Sequence, residues 1–291
     1  VLIARVLADP TGLSAKIDDL LEALSQGDAL VEARPIAGGV WEVAAEGVTD
    51  DVMRWGLDTY IGACDALITD HKPRIPKLFI SDMDSTMISA ECIDELADFA
   101  GIKDQVADIT ERAMRGELDF AQALTERVGL LAGLPEEAIA QCLDERIAPM
   151  KGAKVLVATL KAKGCRTVLV TGGFHQFADP VAEDLGFERV VANRLGVDNG
   201  KLTGGLVGPI CDSSTKKATL LEEMAAFGEG AAALATGDGA NDIPMIEAAA
   251  YGVAFVAKPK ARDAANGWVD SGDLTSVLRL LGVPEKDWVL G

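Results

Sequence analysis

Histidine is nearly absent from this chain: His71 and His175 are the only two among 291 residues, too few to build a metal centre from imidazoles. Cysteine is scarce and scattered. Cys64, Cys92, Cys142, Cys165 and Cys211 are odd in number and never form a Cys-x-x-Cys pair, which argues against zinc and suits free thiols in a reducing compartment. Chemistry must then rest on carboxylates, lysine or arginine. No apolar run approaches the roughly 18 residues that cross a bilayer, and no charged segment followed by a hydrophobic stretch opens the chain as a signal peptide would. The expectation is a cytoplasmic protein with no membrane partner, and Val1 in place of Met suggests a trimmed start. Positive charge is short as well. Twenty-seven Lys and Arg against 46 Asp and Glu give a net charge of −19, which makes nucleic acid a poor partner because phosphate backbones bind basic patches. A small phosphorylated metabolite would be repelled too, unless a metal ion and a few placed cations receive it.

What is present is apolar: 49% of residues are hydrophobic, enough for one large core or two unequal ones. Residues 1–72 carry strand-like stretches at Leu2–Leu7 and Val40–Val43 and a helical pattern from Leu13 to Leu24, a small α+β module. Prolines at 73 and 76, among basic residues, mark a linker at 73–77. From residue 78 to 291, short apolar strands (Leu78–Ile80, Thr167–Val170, Val190–Ala192, Ala231–Thr236, Val253–Val256) alternate with helices near 152–163, 178–185 and 215–227. That order predicts a Rossmann-like α/β fold, a parallel sheet with helices on both faces. Its core would comprise 78–88 and 151–291. The strand-free stretch 89–150 reads as a helical cap: one helix from near Ser89 buries Ile93, Leu96, Ala97 and Ala100 and stops at Gly101, and another is capped by Asp119. Asn199-Gly200 signals a hairpin.

Four stretches could carry chemistry. Asp82-Met83-Asp84-Ser85-Thr86 follows the first buried strand, so two carboxylates arrive at the carboxyl edge of the sheet, where open α/β sheets bind ligands. Gly237-Asp238-Gly239-Ala240-Asn241-Asp242 adds two more after a second strand. Hard oxygen ligands of this kind suit Mg²⁺. Alone, the first stretch has a lesser reading as a loop of capping Asp and Ser residues, and a Gly-Asp-Gly loop by itself is more often a turn; together they favour a metal site. Thr171-Gly172-Gly173-Phe174 follows a third strand and is expected to open a helix, where a hydroxyl and free N–H groups cradle phosphate. Lys216 and Lys217 begin a helix, and spacing alone does not choose between them.

In this order the four stretches resemble those of the haloacid-dehalogenase-like phosphohydrolases, across residues 77–291. Glu91, Ala113-Met114-Arg115-Gly116 and Glu126-Arg127-Val128 resemble the substrate-reading cap residues of members acting on O-phosphoserine. The resemblance implies that Asp82 is the nucleophile and a metal ligand, and that Asp84 is the general acid/base and a ligand through its carbonyl. By the same resemblance Asp238 would be the remaining ligand to Mg²⁺, with Asp242 behind it. Thr171, Gly172 and Lys216 would hold the phosphoryl group, with Lys216 preferred over Lys217, and Asn241 would lie near it. Glu91 would meet an ammonium and Arg127 a carboxylate, with Met114 and Phe120 lining the closed cap. The implied reaction is hydrolysis of phosphoserine to serine and phosphate through an aspartyl-phosphate. A related metabolite phosphatase, or transfer to homoserine, is the alternative. Thr171 departs from the family's usual Ser, but its hydroxyl makes the same hydrogen bond. Residues 1–72 weakly resemble ACT-like ligand-binding domains, and a spacer or a homodimer surface fits them equally.

Overall fold

The computed structural model describes residues 1–26 and 28–290. Its strands are β1 (Leu2–Ala8), β2 (Leu30–Pro35), β3 (Trp41–Glu46), β4 (Cys64–Thr69), β5 (Leu78–Ser81), β6 (Arg166–Phe174), β7 (Arg189–Asn193), β8 (Leu195–Asp198), β9 (Lys201–Leu206), β10 (Ala233–Gly237), β11 (Tyr251–Phe255) and β12 (Gly267–Val269). Ten of them form one sheet in the order β2-β3-β1-β4-β12-β11-β10-β5-β6-β7. From β12 to β7 the neighbours are parallel. β4 joins β12 antiparallel, and β1, β3 and β2 continue antiparallel beyond it. The N-terminal module therefore extends the parallel sheet, and the segment 72–76 between β4 and β5 has no regular structure.

Successive side chains point to opposite faces of the sheet, and because both faces are buried the central strands are apolar throughout. Leu78 and Ile80 pack with Val168, Val170 and Leu220 on one side, while Phe79 and Leu169 pack with Leu156 and Phe177 on the other. A third cluster joins β1, β3 and β4 to Ile246, Ala254 and Trp268. Trp268 is fully buried, donates its Nε1–H to the Cys64 carbonyl at 3.0 Å, and lies under the guanidinium groups of Arg54 and Arg262. It locks β12 to β4, so the two parts share a core.

Between β5 and β6 the chain makes five helices, Cys92–Phe99, Lys103–Met114, Phe120–Gly129 and Glu137–Arg146 in the inserted stretch and Ala153–Ala162 on its return to the sheet. The first begins at Cys92 rather than near Ser89, buries Ile93, Leu96 and Ala97, and is followed by Gly101 at φ +71°. Only glycine holds that conformation without strain. Asp119 accepts the Gln122 N–H at 2.8 Å while Gln122 accepts the Asp119 N–H at 3.0 Å, a reciprocal cap. Asn199 and Gly200, both at positive φ, turn β8 into β9.

Candidate active site

β5 and β10 run side by side with Ser81 opposite Thr236, so the residues after each strand emerge together at the carboxyl edge. The Ser81 and Thr236 hydroxyls bond across the pair at 2.7 Å, and the Asp82 N–H donates to the Thr236 carbonyl at 2.9 Å. Asp82, Asp238 and Asp242 are all buried, and their carboxylates offer oxygens within 4.8 Å of one another.

Those oxygens are not equally free. Asp242 Oδ2 accepts the N–H groups of Asp238 and Gly239 at 3.1 and 3.0 Å, and its Oδ1 takes Lys216 Nζ at 2.7 Å. The turn closes this tightly only because residue 237 is glycine: a Cβ there would stand 2.4 Å from Asp242 Cγ. Asp82 Oδ1 receives Lys216 Nζ at 2.8 Å and the Met83 N–H at 2.8 Å. Asp82 Oδ2 has no protein partner among the described residues, and the Asp238 side chain has only Lys258 Nζ at 3.8 Å. Two under-used carboxylates fit a hard dication that takes one or two of them and keeps water positions. Asp242 is spent on ordering the loop and fixing Lys216. The cluster can thus hold a metal ion.

Protonation reflects the crowding. Burial, and then Asp242, drives the Asp82 carboxyl well above the usual carboxylate range, against Lys216. Burial and Glu91 push Asp84 up to about 7, and burial with Asp242 pushes Asp238 up to about 6. Burial alone would lower Lys216, but the two carboxylates hold its pKa above the ordinary lysine value. Raised carboxyl pKa values mean that, from about pH 4 to about 7, the folded state binds more protons than the unfolded one, so stability falls as pH rises. In chelator the thermal midpoint should be lower at pH 8 than at pH 5, and added Mg²⁺ should raise it more at pH 8. Asp84→Asn should flatten the chelator profile. A midpoint that climbs between pH 5 and 8 without metal would contradict these assignments.

Above the carboxylates lies a cavity of ≈ 130 Å³ whose wall includes Asp82, Asp84, Asp238, Asn241, Thr171 and Gly172 from the sheet edge, with Glu91, Phe120 and Arg127 from the helical insertion. Glu91 precedes the first inserted helix and accepts the Ser85 hydroxyl at 2.7 Å. Arg127 donates Nε to the Ala123 carbonyl of its own helix and forms no ion pair among the described residues, so its guanidinium is available to a ligand carboxylate. Asp84 Oδ1 is held by the Cys92 N–H at 3.1 Å. Gly172 admits Phe120, whose ring would stand 3.1 Å from a Cβ there, and Gly173 admits Asp84, 2.9 Å from one.

Three expectations need correction or completion. Thr171–Gly173 does not open a helix: β6 continues through Phe174 and the helix begins at His175. Pairing to β7 slips between Val170 and Phe174, so the segment leaves the ladder while still extended. Thr171 Oγ1 accepts the Gly173 N–H at 2.9 Å, leaving its proton to donate. Met114 does not line the cavity. It ends its helix with 84% of its surface exposed. Lys216 rather than Lys217 reaches the carboxylates, since Lys217 is exposed on the outer face of the helix Ser213–Met224.

Two contributors carried no signal in the sequence. Asn193 is buried in β7 and ties the site together, donating Nδ2 to the Gly172 carbonyl at 2.8 Å and accepting the Cys211 N–H at 2.8 Å just before the Lys216 helix. Lys258 lines the cavity from the loop after β11, its N–H bonded to the Asp238 carbonyl at 2.9 Å. Val256, two residues earlier, sits at φ +42°, a strained conformation for a β-branched side chain.

The haloacid dehalogenase-like hydrolase family matches residues 79–247. A phosphoserine phosphatase from Albidiferax ferrireducens is 47% identical over 210 residues, 70% of this chain and 89% of that protein. Another, from Haemophilus influenzae, is 39% identical over 254 residues, 85% of this chain and 81% of that one. Among solved structures, a HAD-family hydrolase from Salmonella enterica serovar Typhi superposes with a TM-score of 0.83 at 26% identity, covering 96% of this chain and 98% of that one.

Proposed function

The chain belongs to the haloacid dehalogenase-like hydrolase family, and from that premise we propose that it hydrolyses O-phosphoserine to serine and phosphate through an aspartyl-phosphate on Asp82. The observation that carries the reading is the pairing across one small cavity of Asp82, with Oδ2 free and Oδ1 pinned by Lys216, and of Glu91 and Arg127 on the opposite wall. One side suits a phosphoryl group. The other suits an ammonium and a carboxylate, the two ends of an amino acid.

Asp82 and Asp238 would hold Mg²⁺, with the Asp84 main-chain carbonyl. When bound, the ion supplies the positive charge that lets a carboxylate approach a phosphate dianion. Lys216 adds a fixed cation on the same side, while the Thr171 hydroxyl donates to a phosphoryl oxygen. Arg127 and Glu91 hold the amino acid so that phosphorus faces Asp82 Oδ2. That oxygen attacks, the bond from phosphorus to the seryl oxygen breaks, and Asp84, held protonated by its buried setting, gives its proton to the leaving alkoxide. Serine departs. Asp84, now ionised, takes a proton from water as the water attacks phosphorus, which frees phosphate and restores Asp82. Phe120, lying against Gly172, would keep other water out. The same reading carries Mg²⁺ as the ion, the cytoplasm as the compartment, and residues 1–72 as a regulatory or dimerising unit.

The test is phosphate release across a panel of phosphomonoesters, with Mg²⁺ and with chelator. Phosphoserine should exceed sugar phosphates in kcat/KM by at least about a hundredfold, because a site built for charged groups loses their pairing with other substrates. Chelator should abolish release. A preference for sugar phosphates would overturn the substrate, and phosphohomoserine formed on adding homoserine would reassign the acceptor.

A further inference from the structure

We infer that a second cavity, between the N-terminal strands and residues 282–284 just after the helix Thr275–Leu281, binds a small organic anion through Arg5, Arg34 and Lys72. It encloses ≈ 220 Å³ and shares no lining residue with the active-site cavity. Arg5 stands on β1, opposite Glu42 of β3 in register and flanked on its other side by β4. It is 3% exposed. A buried ion pair seldom repays its desolvation, and an apolar pair at this position would hold the sheet as well.

The guanidinium is incompletely used. Nε donates to Glu42 Oε2 at 3.1 Å and Nη1 to the Leu280 carbonyl at 2.9 Å, whereas Nη2 has no protein partner among the described residues. Glu42 is already shared, since Arg34 Nη2 reaches its other oxygen at 2.6 Å. The wall therefore carries three cationic side chains against one carboxylate, in a chain whose net charge is −19. An excess of cations around a buried, partly unpartnered guanidinium is what a carboxylate or phosphate head requires, taken up by the planar fork. Ile36 and Val283 supply apolar wall for the ligand's body. Gly282, at φ +82°, lets the chain reverse directly over Arg5, where a Cβ would stand 2.8 Å from Nη1.

Calorimetric titration of the full chain in chelator, with succinate and separately with inorganic phosphate, tests this. Saturable binding is expected, weakened at least about tenfold in Arg34→Ala/Lys72→Ala, whose exposed positions leave folding and phosphate release unchanged. Arg5→Met should abolish binding, with circular dichroism checking that it folds. Binding of succinate alone would assign a carboxylate head, and binding of both, a general oxyanion head; either supports the site. No saturable heat with either probe up to about 10 mM, or equal affinity in wild type and the double variant, would overturn it.

Discussion

Asp82→Asn should lower turnover of phosphoserine by at least about 10⁴-fold, the scale seen when a nucleophile is removed from a catalytic unit, while the thermal midpoint stays level or rises. The reasons for both halves lie in the same atoms. An amide at this position keeps an oxygen for the Met83 N–H and for Lys216, so the loop holds its shape. It removes a buried charge that Asp242 and burial already disfavour. What it lacks is a nucleophilic Oδ2. Phosphate release and a melting curve on one preparation check both halves, and residual activity within tenfold of wild type would remove Asp82 from the role.

Lys216→Met should be costly in the opposite pattern, losing both stability and activity. Lys216 is fully buried and bridges Asp82 and Asp242 at 2.8 and 2.7 Å. Methionine fills much the same volume, so the loss is electrostatic rather than a cavity. Removing one member of a buried ionic cluster typically costs about 3–5 kcal/mol, because the remaining charges stay uncompensated. The destabilisation should be larger at pH 8 than at pH 5, where Asp82 can take up a proton in place of the ammonium. Turnover should fall by at least about 10³-fold, the scale of losing a positioned donor to the developing charge. Lys217→Met, one residue on and exposed, should change neither. Denaturant melts at both pH values with kcat for the two variants decide it, and equal effects at 216 and 217 would contradict the assignment.

The carboxylate site was legible because strand burial and loop chemistry agree: β5 and β10 are short apolar runs, each followed at once by aspartates, and parallel pairing makes neighbours of whatever follows. Asn199-Gly200 and Asp119 were legible for a similar reason, since each acts through its own backbone. β4 and β12 were not. β4 is buried along its whole length, yet Asp65 interrupts its apolar pattern because its carboxylate accepts the N–H groups of residues 270–272. β12 has three residues, and it is a strand because Trp268 packs on β4. Thr171–Gly173 looked like a helix start because Gly-Gly ends strands so often, while the slip against β7 that keeps it extended depends on a neighbour distant in sequence. Asn193 and Lys258 serve the site entirely through tertiary contacts. Met114 shows the converse, a residue matched by motif whose side chain points to solvent.

The central claim is covalent chemistry at Asp82, and acid quenching during turnover tests it most directly. An acyl phosphate is reduced by borohydride to an alcohol, which converts the phosphorylated aspartate to homoserine and is read by peptide mass spectrometry. Wild type quenched with phosphoserine and Mg²⁺ should carry homoserine at position 82 and nowhere else, and should lose it in chelator. Label at Asp84, or none at position 82 while phosphate is being released from phosphoserine, would contradict the account.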